Sequence, residues 1–151
     1  MPQSRCVSRV CAVVPTYDNP ATIAATVEAL RRHVATVVVV DDASHGPGRA
    51  ACDALRDVVL VRHGRNQGKG GAVQTGLRAA RRLGFTHALQ VDADGQHDLA
   101  DVPRFLAASA ERPDALVLGA PIFDATVPRG RLHGRKVTIV CTRLETWGLR
   151  V

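Results

Sequence analysis

A chain of 151 residues, 46% hydrophobic and 23% charged, has the composition of a soluble globular protein and is long enough for one domain with a buried core. Its formal net charge of +6 rests almost wholly on arginine, because only two of its 20 basic residues are lysine, and the excess is spread along the chain with one denser run near the end. Arginine suits phosphate-bearing ligands, although a scattered excess equally serves as a solubilising surface, and the scarcity of aromatics argues against nucleic acid as a partner.

The chain opens on a short polar lead around Arg5 and Arg9, with neither the apolar stretch nor the small-residue cleavage site of a signal peptide. Short valine-rich runs then alternate with segments of helical period, the pattern of βαβ units about a mostly parallel sheet. The first strand is predicted over residues 9–14. Asn19 as N-cap and Pro20 at the first helical position start a helix that puts Ile23, Val27 and Leu30 on one face. The second strand, 36–41, is apolar at every position from Val37 to Val40 and is expected to be covered on both faces. A short helix is predicted over 48–56 and a third strand over 58–62. The next helix, 72–83, stops at Gly84 and is expected to bury Val73, Leu77 and Ala80. A fourth strand at 87–91 leads to a helix at 99–110 with Leu99, Val102 and Leu106 inward, and a fifth strand is predicted at 115–119.

Residues 1–120 are therefore expected to form one α/β domain. The segment 121–151 carries a loop with Pro121, Pro128 and Gly130 and a basic run of Arg129, Arg131, His133, Arg135 and Lys136. A last helical pattern places Val137, Val140, Cys141, Leu144 and Trp147 on one face. That apolar stripe needs a partner surface, so the segment reads as the start of an incomplete second region of a truncated chain. No run approaches the roughly 18 consecutive apolar residues of a membrane span. Cys6, Cys11, Cys52 and Cys141 form no C-x-x-C pair and have no histidines at zinc-site spacing, which predicts a reduced, cytoplasmic setting.

In an open α/β sheet, ligands sit outside the carboxyl ends of the strands, and here every one of those ends is polar. Asp92 and Asp94, separated by one residue at a strand end, can point to the same side and form a hard oxygen site for Mg²⁺ or Mn²⁺. Such an ion completes its shell with water and substrate phosphates; an ordinary Asp-Gly turn is the plain alternative. Asp41 and Asp42 can accept hydrogen bonds from a nucleobase or a ribose, or else cap the next turn with Ser44. Tyr17, the single tyrosine, can stack on a base or serve as packing. The glycine-rich turn at 66–71 offers Lys69 as a point charge for phosphates or sugar, or leaves it solvated. That turn is not a Walker A loop, because the Gly64 to Gly68 spacing is one residue short and Gly70 replaces the required Ser or Thr, and no G-x-G-x-x-G follows the first strand. The basic run at 129–136 can grip a pyrophosphate or an anionic lipid head, or form a solvated helix start. His33, His45, His63 and His87 are assigned structural roles.

Four motifs in register, Val13-Val14-Pro15-Thr16-Tyr17-Asp18-Asn19, Val39-Val40-Asp41-Asp42-Ala43-Ser44, Asn66-Gln67-Gly68-Lys69-Gly70-Gly71-Ala72 and Gln90-Val91-Asp92-Ala93-Asp94-Gly95-Gln96-His97, resemble the family 2 glycosyltransferases with the GT-A fold. The similarity is greatest to the polyprenyl-phosphate mannosyl- and glucosyltransferase-like group and covers about residues 9–119. It implies a Rossmann-like, three-layer α/β/α sandwich with a mostly parallel sheet, a nucleotide-diphosphate sugar such as a GDP- or UDP-hexose as donor, and Mg²⁺ or Mn²⁺ at Asp92 and Asp94. By the same resemblance Pro15, Tyr17 and Asp42 would cradle the nucleoside, with Asp41 supporting their loop. Asp92 and Asp94 would also reach the ribose and diphosphate, and Gln96 and Lys69 would lie near the sugar-phosphate. Transfer would invert the anomeric centre, and residues 121–151 would begin an acceptor region. For a hydroxyl acceptor the catalytic base is expected beyond Val151. A polyprenyl-phosphate acceptor would bring the protein to the inner face of a membrane. Two other readings stay open. One is a nucleotide-sugar-binding module without catalysis. The other is a haloacid-dehalogenase-like phosphatase, whose nucleophile motif fits Asp92-Ala93-Asp94-Gly95 but normally opens the fold and is not followed by a residue such as Gln96. A nucleotidyltransferase would need a glycine-rich loop after the first strand, and none is present.

Overall fold

Valine-rich runs favour extended backbone because their branched side chains pack well on a pleated surface. In the computed structural model, which describes residues 8–119, three such runs and the segment His-Ala-Leu-Gln form four strands. They are β1 (Val10–Thr16), β2 (Val37–Asp41), β3 (Val59–Arg62) and β4 (His87–Gln90). All pair in parallel, in the order β3-β2-β1-β4. Val14 lies opposite Val39, Val39 opposite Leu60, and Val13 opposite Gln90.

The helices are α1 (Ile23–Arg31), α2 (Gly46–Ala54), α3 (Gly68–Arg82) and α4 (Val102–Glu111), the last entered through a 3₁₀ turn at Leu99–Asp101. Alternate strand residues point to opposite faces, which divides the core in two. Ala12, Val14, Val37 and Val39 pack with Ile23, Val27, Leu30 and Val102 on one face. Cys11, Val13, Val38 and Val40 pack with Ala72 and Ala80 of α3 on the other. The result is the expected three-layer α/β/α sandwich, with β2 buried along its whole length. Full burial of a side chain such as Ile23 or Leu30 stabilises the fold by about 2 kcal/mol each.

Several elements depart from the sequence-based expectation. The first helix starts at Ile23. Its N-cap is Thr22, not Asn19; the Asn19 carbonyl accepts from the Ile23 N–H at 3.2 Å, and the Asn19 side-chain amide donates to Tyr17 O at 2.9 Å. Helix α3 begins at Gly68, four residues early, so the glycine-rich turn is its first turn. Its inward face carries Ala72, Gly76 and Ala80, and Leu77 is exposed. A Cβ on Gly76 would overlap Val13 Cγ1 and come within 3.2 Å of Val40 Cγ2. The helix therefore lies too close to the sheet for leucine, and small residues take the buried positions. The predicted fifth strand does not form among the described residues. Residues 115–119 have no ladder partner there, and Leu116 and Leu118 stay exposed. The basic run at 129–136, the terminal helical pattern, the boundary at residue 120, Cys6 and Cys141 lie outside the described residues.

Topology places the site. The chain runs outward from β1 through β2 to β3, with α1 and α2 on one face, then crosses by α3 on the other face to β4 beside β1. The winding reverses between β1 and β4, and their carboxyl ends open a crevice at that switch point.

Candidate functional site

At the end of β1 the chain passes through Pro15 and Thr16 to Tyr17, which is half-exposed. This loop is tied to the end of β2. The Asp18 N–H donates to Ser44 Oγ at 3.0 Å, and the His45 N–H donates to Asp18 Oδ1 at 2.8 Å. The Tyr17 ring meets His45 edge-on, with centroids 6.4 Å apart. Helix α2 approaches the loop so closely that a Cβ on Gly48 would sit 2.6 Å from Asp18 Oδ1.

The two aspartates ending β2 have different tasks. Asp41 is fully buried, accepts from the Ser44 N–H at 2.8 Å and from Arg62 Nε at 2.7 Å, and does not line the cleft. Burial alone would push its carboxyl up, but hydrogen bonds from Ser44 and Arg62 outweigh that and hold it below the usual carboxylate range. Arg62 also reaches Asp53 Oδ1 at 2.6 Å. Asp41 thus braces the loop from behind. Ala43 follows at φ +65°, a left-handed conformation that alanine rarely adopts. Asp42 lines the cleft, and its Oδ1 accepts from the Gln67 N–H at 2.8 Å and lies 2.6 Å from His63 Nδ1.

At the end of β4, Asp92 is surrounded by donors. Lys69 Nζ lies 2.5 Å from Oδ2, His97 Nε2 lies 3.4 Å from the same oxygen, and Gln90 Nε2 donates to Oδ1 at 2.7 Å. Burial would raise this carboxyl as well, but Lys69 and then His97 overcome it and lower it below the usual range. Asp94 is exposed, and its Oδ1 accepts from the Gln96 N–H at 2.9 Å in a tight turn completed by Gly95 at φ +74°. The loop is anchored to the start of α1, where Thr22 Oγ1 donates to Ala93 O.

These loops enclose a cleft of about 380 Å³. Pro15, Tyr17, Asp42, Lys69, Asp92 and Asp94, each read from the sequence as donor-binding, line it. Asp41 and Gln96 do not. Asp41 is turned inward to Arg62, and Gln96 takes part through its backbone N–H. Thr16, Asn19, Asn66, Gly68, Ala72 and Ala93 complete the lining, and none of these six is a donor-binding residue in the sequence-based expectation. His63, which the sequence presents as a structural residue, contacts Asp42 directly.

Among the ionisable lining residues, three carboxylates face a single ammonium group, that of Lys69. A phosphorylated ligand entering this cleft would bring further negative charge beside these carboxylates. No cluster of three or more His, Cys, Asp or Glu side chains able to hold a metal occurs among the described residues. Asp92 and Asp94 both line the cleft; both oxygens of Asp92 are engaged by Lys69, His97 and Gln90, whereas Asp94 Oδ2 has no protein partner among the described residues.

Residues 11–147 match glycosyl transferase family 2. The chain is 35% identical over 132 residues to an undecaprenyl-phosphate mannosyltransferase from Micrococcus luteus, a match covering 82% of this chain and 51% of that protein. It is 28% identical over 127 residues to a UDP-N-acetylglucosamine–dolichyl-phosphate N-acetylglucosaminyltransferase from Methanococcus voltae, covering 73% of this chain and 51% of that protein. The chain spans about half the length of the curated relatives it matches.

Proposed function

Because the chain belongs to glycosyl transferase family 2, we propose that the cleft at the β1/β4 switch point binds a nucleoside diphosphate sugar whose hexose is transferred to a lipid phosphate. The observation that carries this reading is the cleft's composition. It brings an aromatic and a buried carboxylate, Tyr17 and Asp42, into one cleft with Lys69 and the acidic pair Asp92 and Asp94.

Pro15 and Tyr17 form a wall for the base, and Asp42 accepts a hydrogen bond from the base or ribose. Asp41 keeps their loop in place. Lys69, on the first turn of α3, gives the diphosphate a point charge, helped by the N–H groups of that turn. Asp94, whose Oδ2 has no protein partner among the described residues, would hold Mg²⁺ or Mn²⁺, with Asp92 beside it. When bound, such an ion neutralises the charge that develops on the departing diphosphate. Direct displacement inverts the anomeric centre. A lipid phosphate acceptor is already an anion and needs no strong base, whereas a hydroxyl acceptor would.

On this reading residues 1–120 are the donor-binding half and 121–151 begin the acceptor region. The names of both relatives contain a polyprenyl phosphate, which supports that acceptor class here. No helix among the described residues is long and apolar enough to cross a membrane. We place the reaction at the cytoplasmic surface of a membrane, where such a lipid presents its phosphate. Membership of family 2 sets aside the phosphatase alternative.

The test is to incubate the chain with GDP- and UDP-hexoses, Mn²⁺ and vesicles containing polyprenyl phosphate, and to look for glycosylated lipid. Its formation, with stoichiometric nucleoside diphosphate release, is the expected result. Donor binding with no transfer to any acceptor would favour a nucleotide-sugar-binding module instead.

A further inference from the structure

His63 takes no part in the chemistry described so far, yet it touches a cleft residue. It directly follows β3, its N–H donates to Asp41 O at 2.9 Å, and it is only 9% exposed. Both ring nitrogens are engaged. Nδ1 lies 2.6 Å from Asp42 Oδ1, and Nε2 lies 2.9 Å from Thr75 Oγ1 on α3. A carboxylate only accepts hydrogen bonds, so Nδ1 carries the proton, and in the neutral ring Nε2 accepts from the Thr75 hydroxyl. The Gln67 N–H donates to Asp42 Oδ1 as well, at 2.8 Å. Both protein donors to Asp42 thus fall on one oxygen. Oδ2 has no protein partner among the described residues, and the side chain borders the cleft.

We infer that His63 is a positioning residue: anchored by Thr75, it fixes the Asp42 carboxylate so that Oδ2 is offered to the nucleoside. The inference rests on reading the cleft as a nucleotide-donor site. Without the imidazole, Asp42 keeps only the Gln67 N–H and gains rotational freedom, so its oxygen is no longer held in one place. The phosphate end of the cleft receives no hydrogen bond from His63, since Lys69, His97 and Gln90 hold Asp92 and the Gln96 N–H holds Asp94. Loss of His63 therefore separates the two ends of the site, which a general loss of structure would not do.

The experiment is calorimetric titration of the full chain, with Mn²⁺ present, using UDP, GDP and inorganic pyrophosphate as probes. Three variants are compared with wild type. His63→Phe keeps the ring and removes both hydrogen bonds, His63→Asn retains a donor near the Nδ1 position, and Thr75→Val removes the anchor on α3. The expected result is that His63→Phe weakens the preferred nucleoside diphosphate by about tenfold or more. Pyrophosphate affinity changes by less than about threefold, His63→Asn recovers most of the loss, and Thr75→Val falls between. If His63→Phe fails to fold, the ordering of wild type, His63→Asn and Thr75→Val decides the question by the same ratio of nucleotide to pyrophosphate affinity. Variants that lose both probes equally, or neither, overturn the inference while leaving the donor site intact. A wild-type chain that binds pyrophosphate no less tightly than any nucleoside diphosphate overturns the proposed function and this inference with it.

Discussion

Lys69 and Asp92 meet across the mouth of the cleft, Nζ 2.5 Å from Oδ2, joining the first turn of α3 to the loop after β4. The lysine side chain is 64% exposed, so solvent screens the pair and its contribution to stability is small. Its value is in position, since it keeps an ammonium group beside the two carboxylates where a diphosphate would lie. Lys69→Met is therefore expected to change the unfolding free energy by less than about 0.5 kcal/mol. Nucleoside diphosphate affinity should fall by about tenfold, as for loss of one charge-assisted hydrogen bond. Urea melts and calorimetry on the same preparation check the two halves, and a large stability loss with unchanged affinity would refute them.

Arg62 compensates Asp41, which has no exposed surface. Removing the arginine leaves a buried, partly uncompensated carboxylate, so Arg62→Met is expected to cost about 3 kcal/mol. The pH dependence follows from the lowered carboxyl. A group whose folded value lies below its unfolded one gives stability that is present above the unfolded value and lost as pH falls through the folded one. The wild-type protein should thus lose this contribution below the ordinary carboxylate range, and Arg62→Met should show a flatter acid limb. Denaturant midpoints collected from neutral to acid pH measure both.

Gly76 and Leu77 make a paired test of how α3 packs. Gly76→Ala forces a methyl group into Val13 and Val40 and is expected to destabilise by about 2 kcal/mol. Leu77→Gln, on the exposed face, should stay within about 0.5 kcal/mol of wild type. Equal effects in urea melts would mean that the helix presents a different face to the sheet.

Ala43 holds a left-handed backbone between the cleft residue Asp42 and Ser44. Ala43→Gly relieves that strain and is expected to raise stability by about 0.5 kcal/mol, less than the full strain because glycine loses more entropy on folding. Ala43→Val, β-branched at a positive φ, should lower it and weaken nucleotide affinity. Thermal melts of the two variants check the sign in each direction.

Much of this site can be read from the chain because its residues stand out from their surroundings. Asp42, Asp92 and Asp94 follow apolar strand runs, and strand ends are where an α/β sheet presents ligands, while Lys69 stands out as the one charged residue of a glycine-rich turn. Leu77 misleads because hydropathy assigns it inward, while the spacing between helix and sheet that excludes it depends on Val13 and Val40, distant in the chain. His63 looks like an isolated histidine. Its link to Asp42 follows from the β2/β3 register, in which Arg62 lies opposite Asp41 and the next residues are brought together. Asp41 and Asp42 are adjacent acids, and only the alternation of the strand turns one to Arg62 and the other to the cleft. Residues 115–119 form a short apolar run, Ala-Leu-Val-Leu-Gly, but hydropathy alone does not supply a ladder partner.

The proposed function stands on the acidic wall binding a nucleoside diphosphate only together with a divalent cation. Calorimetric titration of UDP and GDP into the chain, with Mn²⁺ and with EDTA, and into Asp94→Ala with Mn²⁺, reads that coupling without any intermediate step. We expect measurable affinity for one nucleotide with Mn²⁺, at least about tenfold weaker binding in EDTA, and a similar loss in Asp94→Ala. Equal affinity with and without the metal, or an Asp94→Ala variant that binds as wild type does, would show the acidic wall to have no such role.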